Sequence, residues 1–134
     1  MSYSAKTILY VDDDPDDREF LTDAFKEINS EIDVIVAENG QKALDYLNNI
    51  SNKEVELPCL IILDLNMPFL DGRETFNQIK KNPLLQNIPI YIFSSSQNPN
   101  DKMLFNNLGI EFITKPNNLN YMNEIANQML VSCH

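Results

Sequence analysis

The chain is expected to fold as an α/β sandwich built on one open, parallel, five-stranded sheet. Two observations carry that expectation. Five short apolar runs rich in Ile, Val, Leu and aromatic residues alternate with five longer stretches of helical period. No internal repeat, low-complexity tract or Gly/Ser linker breaks the alternation. A third observation says what such a sheet would carry. The run Ile8-Leu9-Tyr10-Val11 closes in Asp12-Asp13-Asp14, and the run Cys59-Leu60-Ile61-Ile62-Leu63 closes in Asp64.

The first strand is read near 7–12. Pro15 suits a first helical position, and Asp16, Asp17 and Glu19 suit a helix N-terminus. Phe20, Leu21, Ala24, Phe25 and Ile28 then recur at helical spacing, which marks the first amphipathic helix. Strands follow near 33–37, 59–64, 89–94 and 110–114. The remaining helices fall near 40–50, 72–82, 99–108 and 118–131, the last with Met122, Ile125, Ala126, Met129 and Leu130 along one side. Crossovers between parallel strands are right-handed, and five βα units of this length favour a doubly wound, flavodoxin-like sheet in the order 2-1-3-4-5. Strands one and three then sit side by side, and the crevice beyond their carboxyl ends is where such sheets receive ligands.

At 134 residues one core is expected: a single domain over 1–134, with its core at about 6–132 and no output domain. Lys and Arg total 10 against 20 for Asp and Glu, a net charge of −10, which disfavours contact with nucleic-acid backbones or anionic membranes. The opening segment Met1 to Lys6 lacks an apolar signal core, and no stretch approaches a membrane span, so a cytoplasmic protein is expected. Cys59 and Cys133 have no paired spacing that suggests zinc or a disulfide framework. Both are read as reduced thiols, Cys59 in the interior.

The topology gathers Asp12, Asp13 and Asp64 with the ends of the fourth and fifth strands, Ser94 and Lys115. Ionised carboxylates share a pocket only at high cost unless a hard cation such as Mg²⁺ neutralises them. Asp12, Asp13 and Asp64, with the backbone carbonyl of Asn66, are the expected Mg²⁺ ligands. Asp64 is the expected nucleophile, because a carboxylate can carry a phosphoryl group as an acyl phosphate. Lys115 would neutralise phosphoryl charge, and Ser94 would donate a hydrogen bond to a phosphoryl oxygen.

Taken together, Ile8 to Asp13, Asp64-Leu65-Asn66-Met67-Pro68 with Asp71-Gly72, Ser94, and Lys115-Pro116 resemble the receiver domain of bacterial response regulators, over essentially the whole chain. The resemblance implies phosphotransfer to Asp64 from the phosphohistidine of a sensor histidine kinase or histidine phosphotransfer protein, with Mg²⁺ and slow self-catalysed hydrolysis. It implies that Ser94 and Phe112 are the switch residues, and that the face made by helix four, strand five and helix five carries the output, including a possible homodimer. Phe112 stands where many relatives carry Tyr, so packing alone must report the switch. Asn66 and Ser96 match positions that tune dephosphorylation. The resemblance raises the frequency of a cis Lys115–Pro116 bond above the ordinary X-Pro value, and the sequence leaves the isomer open. The long segment Asn48 to Leu57 is similar to that of stand-alone receivers found beside phytochrome-like receptors.

Simpler roles are assigned elsewhere. Asp14, Asp16 and Asp17 are read as caps or solvated acids, Ser95 as a loop residue and Asp71-Gly72 as a turn into a helix. Met103, Leu104 and Leu108 are read as a packed helix face, and His134 as a tail. The rival function is a small Mg²⁺-dependent phosphohydrolase of the haloacid-dehalogenase type, with Asp12 as nucleophile and Asp14 completing Asp-x-Asp. A flavodoxin-like nucleotide binder is the third reading, but no Ser/Thr/Gly-rich phosphate loop follows strand one.

Overall fold

A computed structural model describes residues 6–50 and 57–133. The elements alternate as expected: β1 (Thr7–Val11), α1 (Pro15–Ile28), β2 (Asp33–Ala37), α2 (Gly40–Ile50), β3 (Leu60–Leu63), α3 (Gly72–Lys81), β4 (Ile90–Ser94), α4 (Pro99–Asn107), β5 (Glu111–Thr114) and α5 (Met122–Leu130). The expected last helix, 118–131, opens instead as a tight 3-10 turn over Leu119–Tyr121 that feeds α5. Of the long segment expected over Asn48 to Leu57, residues 51–56 lie outside the described residues, as do the first five residues and His134.

All strands are parallel and ordered β2-β1-β3-β4-β5. Every residue of β3, and Ile8 to Val11 of β1, is buried, which is why both read as unbroken apolar runs. Strand alternation divides their side chains between two cores. Leu9, Val11, Ile61, Leu63, Ile90 and Ile92 face α2, α3 and α4, packing with Leu47, Phe76, Ile79 and Phe105. Ile8, Tyr10, Leu60, Ile62, Tyr91 and Phe93 face α1 and α5, packing with Leu21, Phe25, Met122 and Met129.

Local chemistry sets the helix starts. Asp14 caps α1, accepting from the N–H of Asp16 at 2.9 Å, with Pro15 in the first turn. Asp71 caps α3 by accepting from Glu74 N–H at 3.0 Å, and Asn98 caps α4 by accepting from Asn100 N–H at 3.0 Å. Gly72 has a stricter role than the turn expected of it. A Cβ there would lie 2.0 Å from the carbonyl oxygen of Asp64, so the start of α3 rests directly on the end of β3.

Two expectations are corrected, and one left open is decided. Cys59 and Cys133 are a disulfide pair, with Cα atoms 4.9 Å apart, rather than two free thiols. Half-buried Cys59, just before β3, and buried Cys133, past the end of α5, meet at the end of the central strand opposite Asp64. A sequence separation of 74 left no local signal of that meeting. The apolar residues of α4 do not pack: Met103, Leu104 and Leu108 are 59%, 46% and 55% exposed, and the helix turns Asp101 and Phe105 inward instead. The Lys115–Pro116 peptide is trans. Among the described residues no helix is long and apolar enough to cross a membrane.

Candidate functional site

The register of the central strands places the site. Val11 of β1 is level with Leu63 of β3, so the next residues, Asp12 and Asp64, emerge side by side. Asp64 N–H donates to the carbonyl of Val11 at 3.0 Å, and Asp12 N–H donates to that of Ala37 at 3.0 Å, extending the ladder past both strand ends. On the other side of β3, Ser94 ends β4 level with Thr114 of β5, and Lys115 N–H donates to the Ser94 carbonyl at 2.9 Å.

Carboxylate oxygens of Asp12, Asp13 and Asp64 lie within 4.8 Å of one another. Asp12 and Asp64 are buried, whereas Asp13 is exposed at the rim. The Lys115 ammonium lies 2.8 Å from Asp12 Oδ2, 2.8 Å from Asp17 Oδ2 and 3.1 Å from Asp64 Oδ2. The two buried carboxylates have further donors. Tyr10 OH donates to Asp12 Oδ2 at 2.8 Å, Asp14 N–H donates to Asp12 Oδ1 at 3.0 Å, and Leu65 N–H donates to Asp64 Oδ1 at 2.7 Å. Ser94 is fully buried, and its Oγ accepts from Ser96 N–H at 3.2 Å. Asn66 is exposed, two residues beyond Asp64. Phe112 is half-buried, with the Lys102 ammonium 5.8 Å from its ring centroid.

The electrostatics follow from burial and crowding. Burial lifts the Asp12 carboxyl above the usual carboxylate value, with Asp64 adding to the rise, although Lys115 and the Asp14 amide oppose it. Burial alone would pull the Lys115 ammonium down, but Asp12, Asp17 and Asp64 outweigh it and hold the amine firmly protonated. Tyr10 is pushed well above an ordinary phenol, first by burial and then by Asp12. An all-oxygen set of three carboxylates suits a hard divalent cation, and a fixed ammonium beside Asp64 suits an incoming anion.

Of the predicted site residues, Asp12, Asp13, Asp64 and Lys115 converge, and Ser94 joins them through the strand-end backbone. Asp17, expected to be a cap or solvated acid, is instead a direct partner of Lys115. Tyr10 and Arg18 were also missed: Arg18 Nη1 donates to the carbonyl of Asp12 at 2.8 Å. The geometry does not favour Asp12 as an Asp-x-Asp nucleophile, since the second acid of that motif, Asp14, is turned into the α1 cap.

The family model of the response regulator receiver domain matches residues 8–127. The chain belongs to that family. Response regulator Rcp1 of Synechocystis is 34% identical over 116 residues, covering 85% of this chain and 79% of that protein. Among solved structures, the phosphorylated cyanobacterial phytochrome response regulator RcpA superposes with a TM-score of 0.84 at 31% identity, covering 96% of this chain and 93% of that one. The Mn(2+)-bound form of Rcp1 superposes with a TM-score of 0.80 at 31% identity, covering 93% and 91%. As a receiver domain the chain is a phosphorylation-dependent switch of two-component signalling. Receiver domains work with histidine kinases or phosphotransfer proteins, and the acidic cluster of this one is suited to a divalent metal.

Proposed function

We propose that Asp64 is the phosphoacceptor, receiving a phosphoryl group from the phosphohistidine of a sensor histidine kinase or a histidine phosphotransfer protein. The P–N bond to imidazole breaks as a P–O bond to the Asp64 carboxylate forms, and the donor histidine regains a proton from solvent. Mg²⁺ held by Asp12, Asp13, Asp64 and the Asn66 carbonyl would supply charge neutralisation for the transferring group. Lys115 supplies a fixed positive charge beside Asp64, and Ser94 offers a hydroxyl at the next strand end. A kinase that phosphorylates itself from ATP works in the cytoplasm, the compartment this reading requires.

The observation that carries the reading is the Lys115 ammonium 3.1 Å from Asp64 within a triad of carboxylates spanning 4.8 Å. The added phosphoryl group brings about 1.5 to 2 negative charges, favouring conformers in which Ser94 and Lys115 turn toward it. Phe112 would report that change to the α4-β5-α5 face, where Met103, Leu104 and Leu108 stand exposed for protein contact, including a second copy of this chain.

Treatment with acetyl phosphate or beryllofluoride in Mg²⁺, followed by mapping of the adduct, tests the assignment. Modification is expected on Asp64 and lost in Asp64→Asn; full modification of that variant, or an adduct on Asp12, would remove the reading.

A further inference from the structure

Arg73, in the first turn of α3, crosses to the first turn of α4 and grips Asp101 with both arms of its guanidinium. Nε donates to Oδ1 at 3.0 Å and Nη2 to Oδ2 at 2.7 Å. Asp101 is 5% exposed, on the same inward side of α4 as Phe105. The Ser96 hydroxyl donates to Asp101 Oδ2 at 2.7 Å, and the Ser96 N–H donates to Ser94 Oγ at 3.2 Å. An unbroken chain of hydrogen bonds thus runs from α3, through α4, to the hydroxyl at the end of β4.

Stability is a poor reason for this arrangement. An ion pair with one buried and one half-buried partner gains little, because desolvation of the carboxylate and solvent screening of the guanidinium offset much of its Coulomb energy. What a forked, charge-assisted contact adds is position. Here the position fixed is that of the short β4–α4 connection, and with it the Ser96 amide that holds Ser94 Oγ. Turning Ser94 toward a group on Asp64 requires either giving up that amide or moving the connection, and Asp101 anchors the connection to α3.

We propose that Arg73, Asp101 and Ser96 are positioning residues forming a latch, which holds Ser94 in the unmodified arrangement and sets the threshold for switching. The proposal rests on Asp64 as phosphoacceptor and concerns regulation of that same site. It predicts that loosening the latch makes the modified state easier to reach, because the cost of moving Ser94 is subtracted from the binding of the phosphoryl group.

The test titrates beryllofluoride in saturating Mg²⁺, following the adduct by fluorine NMR, for the wild type, Arg73→Gln, Asp101→Asn, the double variant and Ser96→Ala. Half-saturation is expected to fall about fivefold or more in each single variant. The double variant should fall no further than Arg73→Gln or Asp101→Asn alone, since either change opens the same contact. Mg²⁺ affinity without beryllofluoride should not move. Phe105→Leu, which loosens the same side of α4 without touching the ion pair, should leave half-saturation in place. Unchanged or raised half-saturation in the latch variants overturns the proposal, as does an equal fall in Phe105→Leu. If the wild type forms no Asp64 adduct, the assignment of the phosphoacceptor fails instead, and the two failures are distinguishable.

Discussion

At Lys115 one ammonium offsets the mutual repulsion of Asp12, Asp17 and Asp64. Lys115→Ala would leave buried carboxylates with only neutral donors, and breaking a buried pair by removing one partner costs about 3 kcal/mol. That loss is expected in urea denaturation without divalent ions, and millimolar Mg²⁺ should recover most of it by taking over the neutralisation. Equal losses with and without Mg²⁺ would show that the carboxylates do not share a cation. Mg²⁺ affinity should be kept in this variant while its phosphorylation-dependent change is lost. Lys115, Asp12 and Asp64 were legible in the sequence because each ends an apolar run, so the topology alone brings them together. Asp17 was not, because an acid in the first turn of a helix already has a sufficient explanation in the helix dipole. Its contact with Lys115 spans 98 residues of sequence and arises only in the folded chain.

Between elements, the Arg73–Asp101 contact couples α3 to α4 across 28 residues, a separation with no local pattern to betray it. It also explains why α4 was misread. A charged residue on the inward side of a helix hides that side from a search for apolar periodicity, and the exposed Met103, Leu104 and Leu108 then look like the core face. Hydrogen bonding from Arg73 holds the Asp101 carboxyl below its ordinary value, with Ser96 assisting, although burial opposes them. Between that lowered value and about 4, the ordinary carboxylate range, the unfolded chain binds the proton and the folded chain does not. Stability from Asp101 is therefore complete above that range and is lost as pH falls through the lowered value. Asp101→Asn should cost about 2 kcal/mol at pH 7, and denaturant titrations should show the gap closing below pH 4. A gap that stayed constant from pH 7 to pH 2 would mean that the carboxylate charge contributes nothing there. Gly72 was likewise only half legible: Asp-Gly marks a turn, but the 2.0 Å approach to the Asp64 carbonyl depends on how α3 docks against β3.

Over the whole molecule, the five-stranded sheet and its order were readable from alternation and the handedness of crossovers, whereas the Cys59–Cys133 pairing was not. Cysteines with no spacing signal look like small apolar residues until the chain is folded. Closing a loop of this length removes unfolded-state entropy worth about 4 kcal/mol. Reduction is therefore expected to lower the melting temperature by many degrees, and Cys133→Ser should melt near the reduced wild type and ignore dithiothreitol. If the oxidised and reduced proteins melt together, the two sulfurs are not bonded in solution. The cytoplasm keeps most thiols reduced, so there the bonded and open forms would be set by exchange with small disulfides such as oxidised glutathione, which takes up the two electrons and protons of the dithiol.

The same bond decides how the chain would respond to force. Lys6 Nζ donates to the Cys133 carbonyl at 2.9 Å, so both ends of the described chain lie beside the closed loop. Tension applied at those ends would unravel the stretch before Cys59 and then stop. The 74-residue separation sealed behind the sulfurs represents about 250 Å of contour at roughly 3.4 Å per residue, released only when they part.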